Sequence, residues 1–138
     1  MIDCKALMIE AQKARNASYS PYSHYRVGAA LMTKSGKVYT GCNIENAGYS
    51  ATNCAERTAI FKAVSEGERD FEAIAIIGGR EGETAPFCSP CGVCRQVIAE
   101  FCKKDFKIIL GNEEKQEIFT LDTLLPFAFT DADLKNNL

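Results

Sequence analysis

Two short stretches, each opening a run of helix-favouring residues, restrict this chain more than anything else in it. One is Cys54-Ala55-Glu56 and the other is Cys91-Gly92-Val93-Cys94. Two cysteines three apart at a helix start face the same side. A metal ion shared by Cys54, Cys91 and Cys94 therefore requires both helix starts to converge on one point. His24 is the only histidine, so a zinc ion here would rely on thiolates.

Convergence of two helix starts makes electrostatic sense. Each N-terminus carries partial positive charge and free N–H groups, and both favour thiolate over thiol. Three thiolates on Zn²⁺ leave a net negative charge, which weakens the metal's hold on the protons of water. Arg57 lies three residues after Cys54, on the same helix face. It is expected to donate hydrogen bonds to the thiolates and withdraw their charge. Glu56 does not share that face, but side chains in a first helical turn lean back past the helix end. A carboxylate there can take a proton from water and pass it on.

Other readings of the cysteines exist. Cys88, Cys91 and Cys94 repeat at the spacing of part of an iron–sulfur run. Cys54 with those three could also close a four-cysteine structural zinc site. Against closure, Ser89-Pro90 reads as a helix cap followed by a first-turn proline. That places Cys88 before a helix over about 90–101, with Cys91 and Cys94 inside it. The reading adopted is an open three-cysteine zinc site. Cys4, Cys42 and Cys102 read as small core or surface residues, and His24 as an exposed residue at a strand start.

The rest of the composition bounds the class. At 138 residues the expectation is a single domain spanning 1–138. Such a chain buries roughly 65–70% of its unfolded surface, so it does not need disulfides. The cysteine count is seven, an odd number. With no secretory h-region after Met1 to Leu7, the expected compartment is the reducing cytoplasm. No apolar run approaches the ~20 residues of a membrane helix, so no membrane partner is expected. A net charge of −2 and a pI of about 5.5 lack the basic footprint of a nucleic-acid binder.

Periodicity predicts the elements. Apolar residues at 2, 6, 7, 9 and 11 mark an amphipathic helix over 2–16. Val27–Met32 and Val38–Ile44 read as strands of a hairpin turning at 33–37, with Gly36 free to take positive φ. Cys54–Val64 reads as a helix ended by Gly67, and Ala73–Ile77 as a buried strand. Phe106–Leu110 and Ile118–Leu121 complete the strands, and Leu121–Leu125 is a short helix stopped by Pro126. The expected fold class is α/β, a three-layer αβα domain over a mixed five-stranded sheet.

Thr52-Asn53-Cys54-Ala55-Glu56-Arg57-Thr58-Ala59 and Pro90-Cys91-Gly92-Val93-Cys94-Arg95-Gln96-Val97 resemble the two zinc motifs of the small homotetrameric cytidine deaminases. The wider signature is H-x-E…P-C-x-x-C, with Cys54 here in place of His. Asn43 to Tyr49, Tyr22 to Leu31 and Leu124 to Phe129 resemble further segments of that family, so the likeness spans nearly the whole chain. It implies one Zn²⁺ per chain on Cys54, Cys91 and Cys94, and Glu56 as the proton shuttle.

It further implies that Asn43 and Glu45 hold a ribose hydroxyl, and that Tyr25, at a usual Phe position, stacks on the pyrimidine. The backbone N–H groups of Ala55 and Cys91 would orient the base and the attacking oxygen. The Ser89 carbonyl would accept from the leaving amine. Ala47, Tyr49 and Phe129 would reach a neighbouring subunit's site in a homotetramer. The implied activity is hydrolytic deamination of free cytidine or deoxycytidine in pyrimidine salvage. Rival readings are a deaminase of another small aminopyrimidine nucleoside such as a blasticidin-type antibiotic, an editor of nucleic acid, and a non-catalytic cysteine-ligated metal module.

Overall fold

The first helix starts where a side chain can cap it. Asp3 accepts from the Ala6 N–H at 3.0 Å, and α1 runs Cys4–Arg15. In this computed structural model the described residues are 2–136. Met1, Asn137 and Leu138, which the single-domain expectation includes, lie outside the described residues. Leu7, Met8 and Ala11 recur at helical spacing and form the buried stripe of α1.

Strands β1 (Tyr25–Thr33) and β2 (Val38–Cys42) form the expected antiparallel hairpin. Its turn needs the left-handed backbone of Gly36, at φ 94°. The helix α2 (Ala55–Ser65) follows, then β3 (Phe71–Arg80), α3 (Gly92–Phe101), β4 (Lys107–Gly111), β5 (Gln116–Thr120) and α4 (Leu121–Leu124). The sheet order is β2-β1-β3-β4-β5, and only β3 and β4 pair in parallel. A parallel pair needs a crossover, and α3 supplies it.

The sheet is covered on both faces, as the three-layer expectation requires. On one face α1 packs Leu7, Met8 and Ala11 against Ala30, Ala73, Ala75, Ile77 and Ile109. On the other, α2 and α3 pack Ala59, Ile60, Ala63 and Ile98 against Leu31, Ile74, Ile76, Ile108 and Leu110. Both faces of β3 are therefore buried, which explains its unbroken apolar run. Gly41 lets α2 lie close on β2: a Cβ there would sit 2.6 Å from both the Ala55 carbonyl oxygen and the Ala59 nitrogen.

Four expectations need correction. Helix α3 begins at Gly92 with Cys91 as its N-cap, so Ser89 and Pro90 precede the helix instead of capping and opening it. Strand β2 stops at Cys42; Asn43 and Ile44 leave it, and Ile44 forms isolated bridges with Tyr19 and Asn53. Strand β5 starts two residues early, at Gln116. A helix α5 (Asp131–Asn136) was not foreseen. Its Thr130 N–H bonds to Asp133 and its Lys135 pairs with Asp131 at 3.0 Å, a local pattern with little apolar periodicity. Among the described residues no helix is long and apolar enough to cross a membrane.

Candidate metal centre and active site

The entrance of α2 is pinned by the chain around it. Ile44 and Asn53 exchange backbone hydrogen bonds, both at 2.9 Å. The Asn53 amide donates to the Thr58 hydroxyl at 3.1 Å, and that hydroxyl donates to the Cys54 carbonyl at 3.0 Å. Cys54 is thereby held as an extended N-cap residue, with its sulfur beyond the helix end. At the entrance of α3, Cys91 occupies the matching N-cap position and Cys94 lies one turn inside, fully buried.

These placements bring the three sulfurs within 4.8 Å of one another. The Cys54 and Cys91 sulfurs are 3.8 Å apart. Tetrahedral Zn–S bonds of about 2.3 Å put sulfurs about 3.8 Å apart, so the spacing fits zinc. Cys88 is outside this group. Its sulfur lies over Gly78, where a Cβ would approach it to 2.6 Å, and burial pushes its thiol up to about 11. That argues against the four-cysteine arrangement.

The groups around the Cys54 sulfur are arranged to favour its thiolate. Arg57 donates from Nη2 to the Cys54 sulfur at 3.3 Å. Hydrogen bonds from Cys94 and Arg57 hold the Cys54 thiol well below the usual range, against its burial. Cys94 shifts the other way: it donates to Cys54 and keeps its proton, and burial adds to that. Burial also opposes the charge on Arg57, but hydrogen bonds to Cys54 and Cys94 outweigh it and hold the guanidinium protonated.

Glu56 sits in the first turn of α2 and is only 4% exposed. Burial pushes its carboxyl up to about 7, and the neighbouring Cys54 charge adds to the shift. A dication among the sulfurs would act in the opposite direction. A carboxyl near neutrality can both accept and return a proton.

The remaining expected site residues fall into two groups. Tyr25, Asn43 and Glu45 stand together at the ends of β1 and β2. Asn43 is buried; its Oδ1 accepts from the Val27 N–H at 2.9 Å and from the Ser18 hydroxyl, and its Nδ2 donates to the Tyr25 carbonyl at 2.8 Å. Glu45 accepts from the Tyr22 and Ser23 N–H groups at 2.9 and 3.2 Å and from the Ser23 hydroxyl. The Ser23 hydroxyl, followed by those backbone donors, holds its carboxyl below the usual value. Tyr25 lies beside Cys88, and burial, with Cys88 next, raises its phenol.

Ala55 is buried at the start of α2, and Ser89 is exposed just before Cys91. Ala47, Tyr49 and Phe129 are exposed and outside the sulfur cluster, Ala47 and Phe129 in loops and Tyr49 at the start of a short 3-10 turn over Tyr49–Ala51. His24 immediately precedes β1, in the left-handed region at φ 57°, with its ring 3.5 Å from Glu81.

Sequence reasoning missed three polar residues. Arg15 is buried and donates to the carbonyls of Arg26, Gly79, Arg80 and Glu83 and to the Thr84 hydroxyl, tying α1 to the loop after β3. Arg95 and Gln96 reach from α3 to the C-terminal segment. Arg15 left no signal beyond a cation at the end of an apolar stripe. Arg95 and Gln96 lay inside a quoted motif, next to a ligand.

Residues 1–110 match the family model for the cytidine and deoxycytidylate deaminase zinc-binding region. A cytidine deaminase of Sporosarcina psychrophila is 52% identical over 134 residues, covering 96% of both chains. One of Halalkalibacterium halodurans is 52% identical over 137 residues, covering 98% of this chain and all of the other. The crystal structure of cytidine deaminase from Burkholderia pseudomallei superposes with a TM-score of 0.85 at 45% identity, covering 94% of this chain and 100% of that one. By its fold, its converging cysteines and these likenesses, the chain belongs to the cytidine deaminase family.

Proposed function

We propose that this chain is a single-domain, zinc-dependent hydrolase that deaminates free cytidine and deoxycytidine to the uridine forms, releasing ammonia. The observation that carries this reading is one cluster: three sulfurs at zinc spacing, with Arg57 bonded to one and the buried Glu56 in the same helical turn. The family relatives named above support the choice of substrate. Cys54, Cys91 and Cys94 would hold the zinc. When bound, zinc supplies Lewis-acid activation of water at neutral pH.

The other steps belong to side chains and backbone. Glu56 accepts the proton of the attacking water and delivers it to N3 of cytosine, which neutralises the charge that builds there as C4 is attacked. Glu56 then takes the second proton, from the hydroxyl added at C4, and relays it to the departing amine, which leaves as ammonia with the C4 carbonyl formed. The free N–H groups of Ala55 and Cys91 orient the base and the attacking oxygen, and the Ser89 carbonyl accepts from the leaving amino group.

Two acceptor positions and one N–H of Asn43 are used within the chain, which leaves its second N–H for a ligand. A ribose hydroxyl can accept there and donate to Glu45. Tyr25 lends a ring for the pyrimidine.

The working form is a homotetramer in the cytoplasm, engaged in pyrimidine salvage. Tyr49, Phe127 and Phe129 are 77%, 104% and 60% exposed, apolar surface of the kind a partner subunit covers. In that assembly Ala47, Tyr49 and Phe129 complete a neighbour's site.

The test is an ultraviolet assay of cytidine conversion with zinc-loaded wild type beside Glu56→Gln. Conversion to uridine by the wild type, with turnover reduced about 10²–10⁴-fold in the variant, is the expected result. Near-normal turnover by Glu56→Gln would remove Glu56 from its role. A zinc-loaded wild type that leaves cytidine untouched but deaminates a blasticidin-type antibiotic would reassign the substrate.

A further inference from the structure

We propose that Arg95 is a positioning residue, which clamps the turn before Cys91 to the C-terminal segment and so fixes where Cys91 presents its sulfur. The inference rests on the zinc reading above.

The three cysteines are not held equally. Cys94 is buried inside α3, and Cys54 is pinned by the Asn53–Thr58 network. Cys91 is the exposed one, at the end of an irregular loop, and no side chain caps the helix there. Its place depends on what holds Ser89 and Pro90. Arg95, one turn later on α3, does this with three separate nitrogens. Its Nε donates to the Pro90 carbonyl at 2.8 Å, its Nη2 to the Ser89 hydroxyl at 2.8 Å and its Nη1 to the Leu124 carbonyl at 2.6 Å. Among the described residues no other side chain donates to Ser89 or Pro90.

The third of these bonds spans 29 positions of sequence. It makes the end of α4 a fixed stop behind the guanidinium. All three acceptors are neutral, and no carboxylate forms an ion pair with Arg95 among the described residues. What the site uses is therefore the planar fork, which presents three N–H directions at once. A lysine ammonium is a point charge on a flexible stem and cannot reproduce that geometry. Gln96 provides an internal contrast. It donates to the Phe129 carbonyl at 2.7 Å, on the same C-terminal segment, without touching the turn before Cys91.

The experiment compares wild type, Arg95→Lys, Arg95→Gln and Gln96→Ala in two readouts that need no substrate. One is zinc affinity in competition with a chromophoric chelator. The other is the thiolate-to-metal absorption of the cobalt(II)-loaded protein, which reports how the sulfurs meet the metal. Both Arg95 variants should lose zinc affinity about 10–100-fold and shift the cobalt band, while Gln96→Ala stays at wild type. Arg95→Lys keeps the charge and the stem, so it decides the question if Arg95→Gln does not fold. Wild-type affinity and spectrum in Arg95→Lys would overturn the clamp, as would an equal loss in Gln96→Ala. A wild type that takes up no zinc would instead defeat the metal reading itself, and the clamp with it.

Discussion

The two helix entrances that meet at the sulfur cluster look alike but carry different loads. Each offers a cysteine N-cap with extended backbone and no side-chain cap bond. The α2 entrance also carries Glu56 and Arg57, so in the proposed mechanism it would bring a ligand, a proton carrier and a compensating cation within four residues. The α3 entrance brings two sulfurs of the cluster, Cys91 and Cys94. On the proposed reading, the difference teaches that reactivity is concentrated on α2 while α3 would place the metal. It also matches how each is fastened. The α2 entrance is held by hydrogen bonds close to Cys54, while α3 is held by its apolar face and by Arg95.

The sharpest way to break this comparison is at Glu56. Glu56→Gln should lower turnover about 10²–10⁴-fold while the protein keeps one zinc per chain by metal analysis. If zinc is lost as well, the division between the two entrances fails.

The α3 side predicts a loss of a different kind. Ile98 is fully buried, and Ile98→Ala should destabilise the fold by about 2–5 kcal/mol, read by denaturant melts. Folded, zinc-loaded Ile98→Ala should turn over nearly as wild type.

Arg57→Gln tests the compensating cation and should cost about 10–100-fold in zinc affinity or activity. It also has a pH signature. Zinc needs thiolates, so acid releases it. Arg57 lowers the Cys54 pKa, and a depressed pKa keeps the thiolate until the pH falls further. Removing the donor raises that pKa, so the midpoint of acid-driven zinc release should move to higher pH. A midpoint that stays put counts against charge compensation.

The smallest effect is expected at Asn53→Ala, which removes one hydrogen bond behind Cys54 and should cost about 1 kcal/mol of stability. A thermal melt equal to wild type would show that the backbone bridges to Ile44 suffice.

Much of this was readable before any coordinates. The cysteine spacing and the run from Cys54 to Val64 pointed to converging helix starts because local periodicity and capping rules act over a few residues. What escaped depended on distance in sequence or on one residue's backbone. Ser89-Pro90 has the composition of a helix start, yet Cys91 takes the cap, because the cap must lie where its sulfur can meet Cys54. The Arg95 bond to Leu124 and the Arg15 bonds to the end of β3 and the loop after it join residues 29 and 64–69 positions apart. No pattern within a window could reveal them. Asn43 was legible as a polar strand end, but not as a side chain largely occupied by its own chain.

The sulfur triangle has one more consequence. It joins points 37 residues apart, across β3 and its following loop, so a bound ion would act as a reversible crosslink between the two helices that cover one face of the sheet. An ion that binds the folded chain only adds stability by mass action: about 2.7 kcal/mol at a free concentration one hundred times its Kd. The melting temperature should then climb with buffered free zinc and fall under a chelator. A cell that runs short of zinc would lose copies of this protein to unfolding and proteolysis as well as losing turnover, so abundance becomes a second gauge of metal supply.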